Sequence, residues 1–208
     1  MPARPDGHRD ADRSWWYIYM SSMKQADLLI INAQELMTVR GHSEKPAAGA
    51  KEMSEPGIIP DGAIAVKSGK IIGVGNSSDI RKQFQAKRTI TAAGRTVTPG
   101  LVDPHTHPVF AGDRADEFEL RLRGATYMEI AAAGGGIKST VKHTRAADKK
   151  TLKANAYKHL RQFIRHGTTT IDAKSGYGLN LKDEIKILDV IKDLNKAKNL
   201  PTLVPTFL

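Results

Sequence analysis

The 208-residue sequence contains no cysteine, and this absence removes several classes of chemistry. Without thiols the chain can form no disulfide framework, no cysteine-ligated zinc finger, no iron–sulfur cluster and no thiol nucleophile. Any metal ion would therefore have to be held by histidine and carboxylate side chains.

Long apolar runs are absent as well. The most apolar N-terminal run, from Trp15 to Met20, has six residues. A membrane span needs about 20 apolar residues, and the apolar core of a signal peptide about 7–15. Acids and bases are balanced in the segment before this run. We therefore expect a soluble, cytoplasmic protein without a membrane partner.

Positive charge exceeds negative charge, giving a net charge of +10, and much of the excess lies in residues 138–166. Nine lysines and arginines stand there against one aspartate, a local charge of +8. Such a segment could bind a nucleic-acid backbone. However, its charges alternate with apolar residues at helical spacing, and no aromatic residues are interleaved for base stacking, so we favour a solvated helix face. We expect the three histidines in this segment, His143, His159 and His166, to be exposed or helix-terminal.

The chain before Pro99 is predicted to have two parts. Residues 1–22 show no clear periodicity and are expected to be a disordered extension before a plausible start at Met23. Residues 23–99 are predicted to be a small β-rich domain with a hairpin at Val66–Ile72 and a polar loop at Gly41–Pro56. The expected strands are Leu28–Asn32, Leu36–Val39, Ala63–Lys67, Lys70–Val74 and Thr89–Thr91, separated by turns such as Asp61-Gly62 and Ser68-Gly69.

After Pro99-Gly100 the pattern changes to strands that alternate with helices, which indicates parallel βα units. A closed (β/α)₈ barrel takes about 250 residues. Only 109 residues run from Gly100 to Leu208, so this part is either a small open sheet or the first part of a larger barrel. The predicted elements are strands Thr98–Asp103, Thr168–Ala173 and Thr202–Leu208, with helices over about 150–166, ending at Gly167, and over Lys182–Lys196.

The string Asp103-Pro104-His105-Thr106-His107 is the most informative motif. Two histidines separated by one residue at the end of a strand project to the same side, so both imidazoles can reach one cation. Asp103 could orient them from behind. A catalytic zinc typically has three protein ligands and a water, and the remaining downstream histidines lie on the basic stretch. We therefore expect the complete site not to be encoded in this chain.

Two loops that follow predicted strands carry further polar candidates. Arg114 could grip a carboxylate and Tyr177 could hydrogen-bond a polar ligand. From the residues alone we favour a surface ion pair of Arg114 with Asp113 or Glu117, and a packing role for Tyr177. Lys174 either lines the site or pairs with Asp172.

Three strings together resemble the imidazolonepropionases, a branch of the amidohydrolase superfamily. They are TPGLVDPHTHPVFAGDRADEFELRLRGATYMEIAAAGGGIKST, TTTIDAKSGYGLNLKDE and PTLVPTFL. The strings FAGDRADEFELRLRGATY and KSGYGL are specific to this branch, and the likeness runs from about Ala26 to Leu208.

The resemblance implies an α/β fold: an incomplete metal-dependent TIM barrel over 100–208, preceded over 23–99 by the N-terminal part of a composite β-sandwich. It implies that His105 and His107 bind one zinc or iron ion and that Arg114 and Tyr177 contact the small-molecule substrate. The implied reaction is hydrolysis of 4-imidazolone-5-propanoate to N-formimidoyl-L-glutamate, in a full-length form for which a homodimer is conceivable. Asp172 stands where the family more usually has glutamate.

The resemblance also implies that the remaining metal ligands and the catalytic groups come from later strands. We therefore assign no catalytic residue within this chain and expect the chain alone to be inactive. Two alternatives stay open: another cyclic-amide amidohydrolase, and a non-catalytic fragment with a basic nucleic-acid-binding face at 138–166.

Overall fold

The computed structural model of the chain describes residues 23–40 and 49–208. The predicted extension, residues 1–22, and part of the predicted polar loop lie outside this range. The chain divides into two compact units, the first ending at Pro99 and the second running from Gly100 to Leu208. Within the described ranges, no helix combines the length and apolar character that crossing a membrane requires.

The first unit is built around a mixed five-stranded sheet. The elements are β1 Lys24–Met37, α1 Gly49–Met53, β2 Ile58–Lys67, β3 Lys70–Asn76, α2 Ser77–Gln83, β4 Phe84–Thr91 and β5 Thr96–Val97. The strand order of the sheet is β3-β2-β1-β4, and β5 also pairs with β1. The pairs β1–β2 and β2–β3 are antiparallel, whereas β4 and β5 run parallel to β1.

The predicted hairpin is confirmed, because β2 and β3 are joined at Ser68-Gly69. Both turn residues have positive φ, 50° and 74°, as a two-residue turn between right-twisted strands requires. The carboxylate of Asp27 accepts a hydrogen bond from the Ser68 N–H at 2.7 Å and fixes the turn to β1. Helix α2, which the sequence patterns did not predict, begins at a cap where the Asn76 side chain accepts from the Asp79 N–H.

Two predictions for the first unit are wrong. The strands expected at 28–32 and 36–39 form the single strand β1, because Asn32 takes a φ of 59° and the chain continues past a local shift in register. Asp61-Gly62 is not a turn but lies inside β2. A Cβ on Gly62 would stand 2.2 Å from the Leu36 Cβ, so this glycine permits close approach of two strands rather than a reversal.

The second unit has the alternating strand and helix order that the sequence predicts. The elements are β6 Leu101–Thr106, α3 Ala115–Leu122, α4 Tyr127–Ala132, α5 Ile137–Ala146, α6 Lys149–Arg165, β7 Thr168–Lys174, α7 Leu181–Leu194 and β8 Thr202–Thr206. The three strands form a parallel sheet in the order β6-β7-β8. The three short helices α3 to α5, which precede the long helix α6, were not predicted.

Helices α6 and α7 cover one face of this sheet. Helix α6 ends as expected at Gly167, whose φ is 86°. On the opposite face, Val102 and Val204 are 66% and 50% exposed. The second unit is therefore a sheet with one packed face and one open face. The buried core joins Leu152, Ala156 and Leu160 of α6, Ile187, Ile191 and Leu194 of α7, and Ile171, Ala173 and Leu203 of the strands.

The described part of the chain thus has a mixed α/β architecture, as predicted. The β6-β7-β8 sheet is open, with β6 and β8 at its two edges. The partial barrel and the sandwich remain predictions.

Candidate metal and substrate site

The two histidines of the motif lie together at the carboxyl end of β6. Their ring centroids are 5.5 Å apart and the rings are inclined at 63° to each other. His105 belongs to the strand and is exposed, whereas His107 follows it and is half-buried. The structure therefore brings together the pair that the sequence predicts to share one side of the chain.

A backbone carbonyl fixes the orientation of the His107 ring. The Nδ1 of His107 lies 2.5 Å from the Ser175 oxygen, in the loop after β7. Because a carbonyl oxygen only accepts, Nδ1 is the donor in this hydrogen bond, which in the neutral imidazole corresponds to the tautomer with a lone pair on Nε2. Histidines that bind metals are commonly held in this way, with the other ring nitrogen donating to a carbonyl or carboxylate.

The carboxylates of Asp103 and Asp172, near the histidine pair, bind other groups of the protein. Asp103 accepts a hydrogen bond from the backbone N–H of His105 at 3.1 Å, so its described contact fixes the strand end rather than an imidazole. Asp172 forms an ion pair with Lys174 at 2.6 Å. Hydrogen bonds from Lys174 and then Thr206 hold the pKa of Asp172 below its usual value. Of the two roles considered for Lys174, the structure shows the pairing with Asp172.

The donor set fits part of a zinc or iron site. Imidazole nitrogen is a normal ligand for both metals, and the Ser175 carbonyl prepares His107 for such a bond. Among the described residues, however, no group of three or more histidine, aspartate or glutamate side chains could hold an ion. The two histidines alone would therefore supply only part of a ligand set.

The other predicted histidines lie on the helices around the basic segment. The Nδ1 of His143 donates to the Ser139 carbonyl within α5. His159 stacks on Phe110 with ring centroids 5.1 Å apart, and His166 caps the end of α6. All three are exposed or helix-terminal, as predicted.

Tyr177 lies beside the histidine pair. Its ring centroid is 5.2 Å from that of His107 and 6.0 Å from that of Phe110. Tyr177 therefore packs against other side chains, as one prediction had it, and it also lies next to the histidine pair. Phe110, which the sequence did not mark as a site residue, continues the row of rings from His107 to the exposed His159.

Arg114 is held by a neighbouring helix. Its Nε and Nη2 both donate to the Thr140 hydroxyl oxygen at 3.1 Å. In the part of the chain that the structure describes, Arg114 forms no ion pair, so the expected pair with Asp113 or Glu117 is not found. Asp113 instead accepts from the Ala115 N–H, and Glu117 from the Gly136 N–H. The hydrogen bonds of Arg114 lead to α5 rather than to the histidine pair.

A buried glutamate behind the Tyr177 loop escaped the sequence analysis. Glu184 of α7 is 3% exposed. Burial raises the pKa of its carboxyl, but hydrogen bonds from the Ser175 hydroxyl and from loop N–H groups outweigh this and bring the pKa below its ordinary value of 4.5. The sequence signal that could have found it is an acid shortly after Ser-Gly-Tyr-Gly, where several backbone N–H groups lack strand or helix partners.

A cleft of about 420 Å³ lies beside His107 in the second unit. Its lining includes His107, Gly176, Glu184, Phe207 and Leu208. Neither Arg114 nor Tyr177 is among the described residues that line it.

The basic segment is partly neutralised within the fold. Lys149 pairs with Asp189 at 2.5 Å, and Arg145 lies 3.9 Å from the carboxylate of Asp183. Leu152, Ala156 and Leu160 of α6 are buried, whereas Ile164 is 40% exposed, and the remaining cations of the helix lie on the solvent side, as the helical spacing predicts. Nucleic-acid binding by this face stays a prediction.

Solved structures of two enzymes have a fold similar to that of this chain. A triazine hydrolase variant matches with a TM-score of 0.54 at 17% identity, over 86% of this chain and 35% of its own. An ochratoxinase from A. niger matches with a TM-score of 0.50 at 15% identity, over 88% of this chain and 31% of its own. The likeness concerns the fold of the chain.

Curated relatives named imidazolonepropionase are similar in sequence, and the resemblance described above is confirmed. The imidazolonepropionase of Geobacillus sp. is 48% identical over 185 residues, covering 87% of this chain and 43% of the relative. That of Brevibacillus brevis is 49% identical over 183 residues, and that of Symbiobacterium thermophilum 47% over 189. The chain thus spans less than half the length of these relatives. No family model matches it.

Proposed function

We propose that this chain carries two metal ligands and two substrate contacts of an imidazolonepropionase. The observation that supports this most directly is the histidine pair, in which the Ser175 carbonyl leaves Nε2 of His107 available to a cation. The proposed reaction is hydrolysis of the ring amide of 4-imidazolone-5-propanoate to N-formimidoyl-L-glutamate. The relatives of that name, 45% to 49% identical, support the choice of reaction.

In this proposal His105 and His107 would hold one zinc or iron ion. When bound, the ion supplies Lewis acidity toward the amide carbonyl and toward water. Water adds its oxygen to the carbonyl carbon, the ring C–N bond breaks, and a proton goes to the departing nitrogen. We assign none of the described residues to deliver that proton.

Arg114 would bind the propionate of the substrate. Its bonds to Thr140 use Nε and Nη2 and leave Nη1 for a carboxylate. Tyr177, which packs against His107, would place its hydroxyl beside the substrate ring. Both side chains bind and orient the substrate rather than take part in bond breaking.

The test is a chimera in which this chain is joined to the part of the Geobacillus relative outside the match. With Zn²⁺ or Fe²⁺ we expect loss of 4-imidazolone-5-propanoate and formation of N-formimidoyl-L-glutamate, measured by mass spectrometry. His105→Ala and His107→Ala should each lose bound metal and activity, because each removes one ligand. His166→Ala, at the exposed end of α6, is the matched control and should retain both.

Three results would contradict the proposal. Unchanged metal content in either histidine variant would remove the pair from the site. Turnover by the 208-residue chain alone would require further catalytic groups within it. Equal rates on cyclic amides that lack the propionate would favour a different cyclic-amide amidohydrolase.

A further inference from the structure

The loop of residues 175–180, which follows β7, contacts His107 at two points. The Ser175 carbonyl accepts from Nδ1, and the next residue packs on the ring itself. A Cβ on Gly176 would lie 3.0 Å from Cε1 and 3.2 Å from Nδ1 of His107, at a φ of 118°. Tyr177 adds its ring beside the same imidazole. The position of this loop therefore sets the position of the His107 ring.

One carboxylate holds the loop. Glu184 Oε2 accepts from the Gly176 N–H at 2.6 Å, and Oε1 accepts from the N–H groups of Gly178 and Leu179 at 2.7 and 2.6 Å. The Ser175 hydroxyl is a fourth donor to it. All four donors belong to the loop, whereas Glu184 belongs to the first part of α7. The carboxylate therefore attaches the loop to this helix.

Capping of the helix does not account for this arrangement. The Asn180 side chain already caps α7 by accepting from the Asp183 N–H at 2.9 Å. The Glu184 carboxylate instead receives donors that precede the helix, and close packing keeps it there. A Cβ on Gly178 would lie 2.5 Å from the Glu184 nitrogen, so the loop backbone is pressed against the first turn of α7.

We propose that Glu184 is a positioning residue for the metal site: by fixing the 175–180 loop it holds the Ser175 carbonyl against His107 and keeps Nε2 as the coordinating nitrogen. The metal-binding part of this inference rests on the proposed function, because it takes His107 as a ligand. The effect of Glu184 on the orientation of the His107 ring concerns the metal-free chain, and it can be measured whether or not the proposed function holds.

The first experiment uses the full 208-residue chain, labelled with ¹⁵N and free of metal. Long-range ¹H–¹⁵N correlation spectra report which ring nitrogen of His107 is protonated, and hydrogen exchange reports the amides of Gly176, Gly178 and Leu179. We expect the Nδ1–H form and slow exchange in the parent chain. In Glu184→Gln, which turns amide protons toward the loop donors, exchange at these amides should accelerate by about tenfold or more and His107 should become a mixture of tautomers.

Asp189→Asn is the matched control, because it removes an exposed carboxylate from the same helix. This control should leave the amide exchange of the loop and the tautomer of His107 unchanged. The ring signals of His105 should be the same in the parent chain, in Glu184→Gln and in Asp189→Asn. If Glu184→Gln does not fold, Ser175→Ala removes one donor but keeps the carbonyl, and a smaller shift in the same direction is expected. A loop that loosens while His107 keeps a single Nδ1–H tautomer would overturn the proposal, and so would a parent chain without that tautomer.

The second measurement is zinc affinity, obtained by competition with a chromophoric chelator. Loss of a group behind a metal ligand typically weakens binding by about 10–100-fold, and we expect Glu184→Gln to fall in this range. His105→Ala separates the two proposals. If the parent chain and His105→Ala bind zinc equally, the proposed metal site fails, while the tautomer of His107 still decides the role of Glu184. Equal affinity of the parent and Glu184→Gln, with His105→Ala weakened, would overturn the role of Glu184 alone.

Discussion

Single residues decide the chemistry of the candidate site, and Glu184 shows how much depends on one of them. Its carboxylate is buried and takes four hydrogen bonds that need it ionised. Hydrogen bonds to charged groups contribute about 1.5–3 kcal/mol each, and a buried donor left without its partner carries a similar cost. The acid is therefore both a structural constraint and a source of pH dependence.

We expect the free energy of unfolding to fall as the pH drops below 4.5, the ordinary pKa of a glutamate. The folded pKa of Glu184 is lower than this, so the unfolded chain binds more protons in that window and acid favours it. Glu184→Gln should cost about 1.5–3 kcal/mol at pH 7 and lose part of the acid dependence. Urea unfolding at pH 7 and pH 3.5 measures both, with Asp189→Asn as control. Parallel pH profiles for the parent chain and Glu184→Gln would refute this.

Arg114 gives the second prediction for a single residue. In the chimera, Arg114→Ala should raise KM more than it lowers kcat, because a carboxylate clamp far from the breaking bond binds substrate and transition state alike. Steady-state kinetics measure the two constants. Arg123→Ala, which removes an exposed arginine paired with Glu119, is the control and should change neither. A fall in kcat alone would place Arg114 at the reacting carbonyl.

The sequence reveals some of these residues and hides others. The alternation of side chains along a strand is enough to predict that His105 and His107 share a side. Arg114 and Tyr177 stand out only through the family resemblance, because an arginine or a tyrosine in a loop has several ordinary roles. Glu184 is marked in the sequence only as an acid shortly after Ser-Gly-Tyr-Gly. Its role could not be predicted, since that depends on where the N–H groups of the 175–180 loop point, and no local pattern encodes their direction.

Among the helices and strands, the strongly periodic ones were predictable. The long helix α6, the helix α7 and strands β7 and β8 lie within a few residues of their expected bounds. Helices α6 and α7 and strand β7 each bury apolar residues at regular spacing, whereas β8 buries Leu203 alone. The short helices α2 to α5 were missed. They carry few buried side chains, and their ends are set by caps such as Thr126 with Glu129, whose effect is local.

Short helices bury few side chains of their own, and contacts with a neighbouring helix stabilise them. Helix α5 is the clearest case. Lys186 of α7 donates to the carbonyls of Thr144, Arg145 and Ala147 at 3.1, 2.9 and 3.1 Å. These oxygens are at the C-terminal end of α5, where the helix itself provides no donors. The ammonium also pairs with Asp183 at 2.9 Å. One lysine therefore ends α5 and fastens it to α7.

We expect Lys186→Met to lower the free energy of unfolding by about 1–3 kcal/mol, because methionine keeps the length of the side chain but leaves these carbonyls unpaired. Chemical denaturation measures the change. Lys182→Met, at an exposed lysine of the same helix, is the control and should alter stability by less than about 0.5 kcal/mol. Equal effects of the two substitutions would show that the carbonyl contacts add nothing.

At the scale of the whole chain, the open sheet face of the second unit is the main feature. Parallel sheets are normally covered on both faces, yet Val102 and Val204 remain 66% and 50% exposed. Strand β8 also lies at an edge of the sheet, where unpaired backbone groups invite pairing with another chain. The sequence predicts three parallel strands, but the number of strands that would complete the sheet is not contained in their local patterns.

We expect the 208-residue chain to self-associate through this face as its concentration rises. Val204→Lys places a charge there and should shift the species observed by sedimentation velocity toward monomer. Val74→Lys, at an exposed valine of β3 in the first unit, is the control and should leave association unchanged. A parent chain that stays monomeric at all concentrations would show that the open face is not adhesive.

The three loop amides that donate to Glu184 form an anion-binding site, and the anion that occupies it is a side chain of the same polypeptide. Because the carboxylate is covalently attached, its effective concentration is high and the site is occupied in the native chain. Glu184→Ala would remove the carboxylate while keeping the N–H donors. Added formate should then bind there and restore slow exchange of the Gly176 and Gly178 amides, whereas formamide, a neutral molecule of similar size, should not. The loop that orients His107 would thereby become responsive to a small carboxylate in solution.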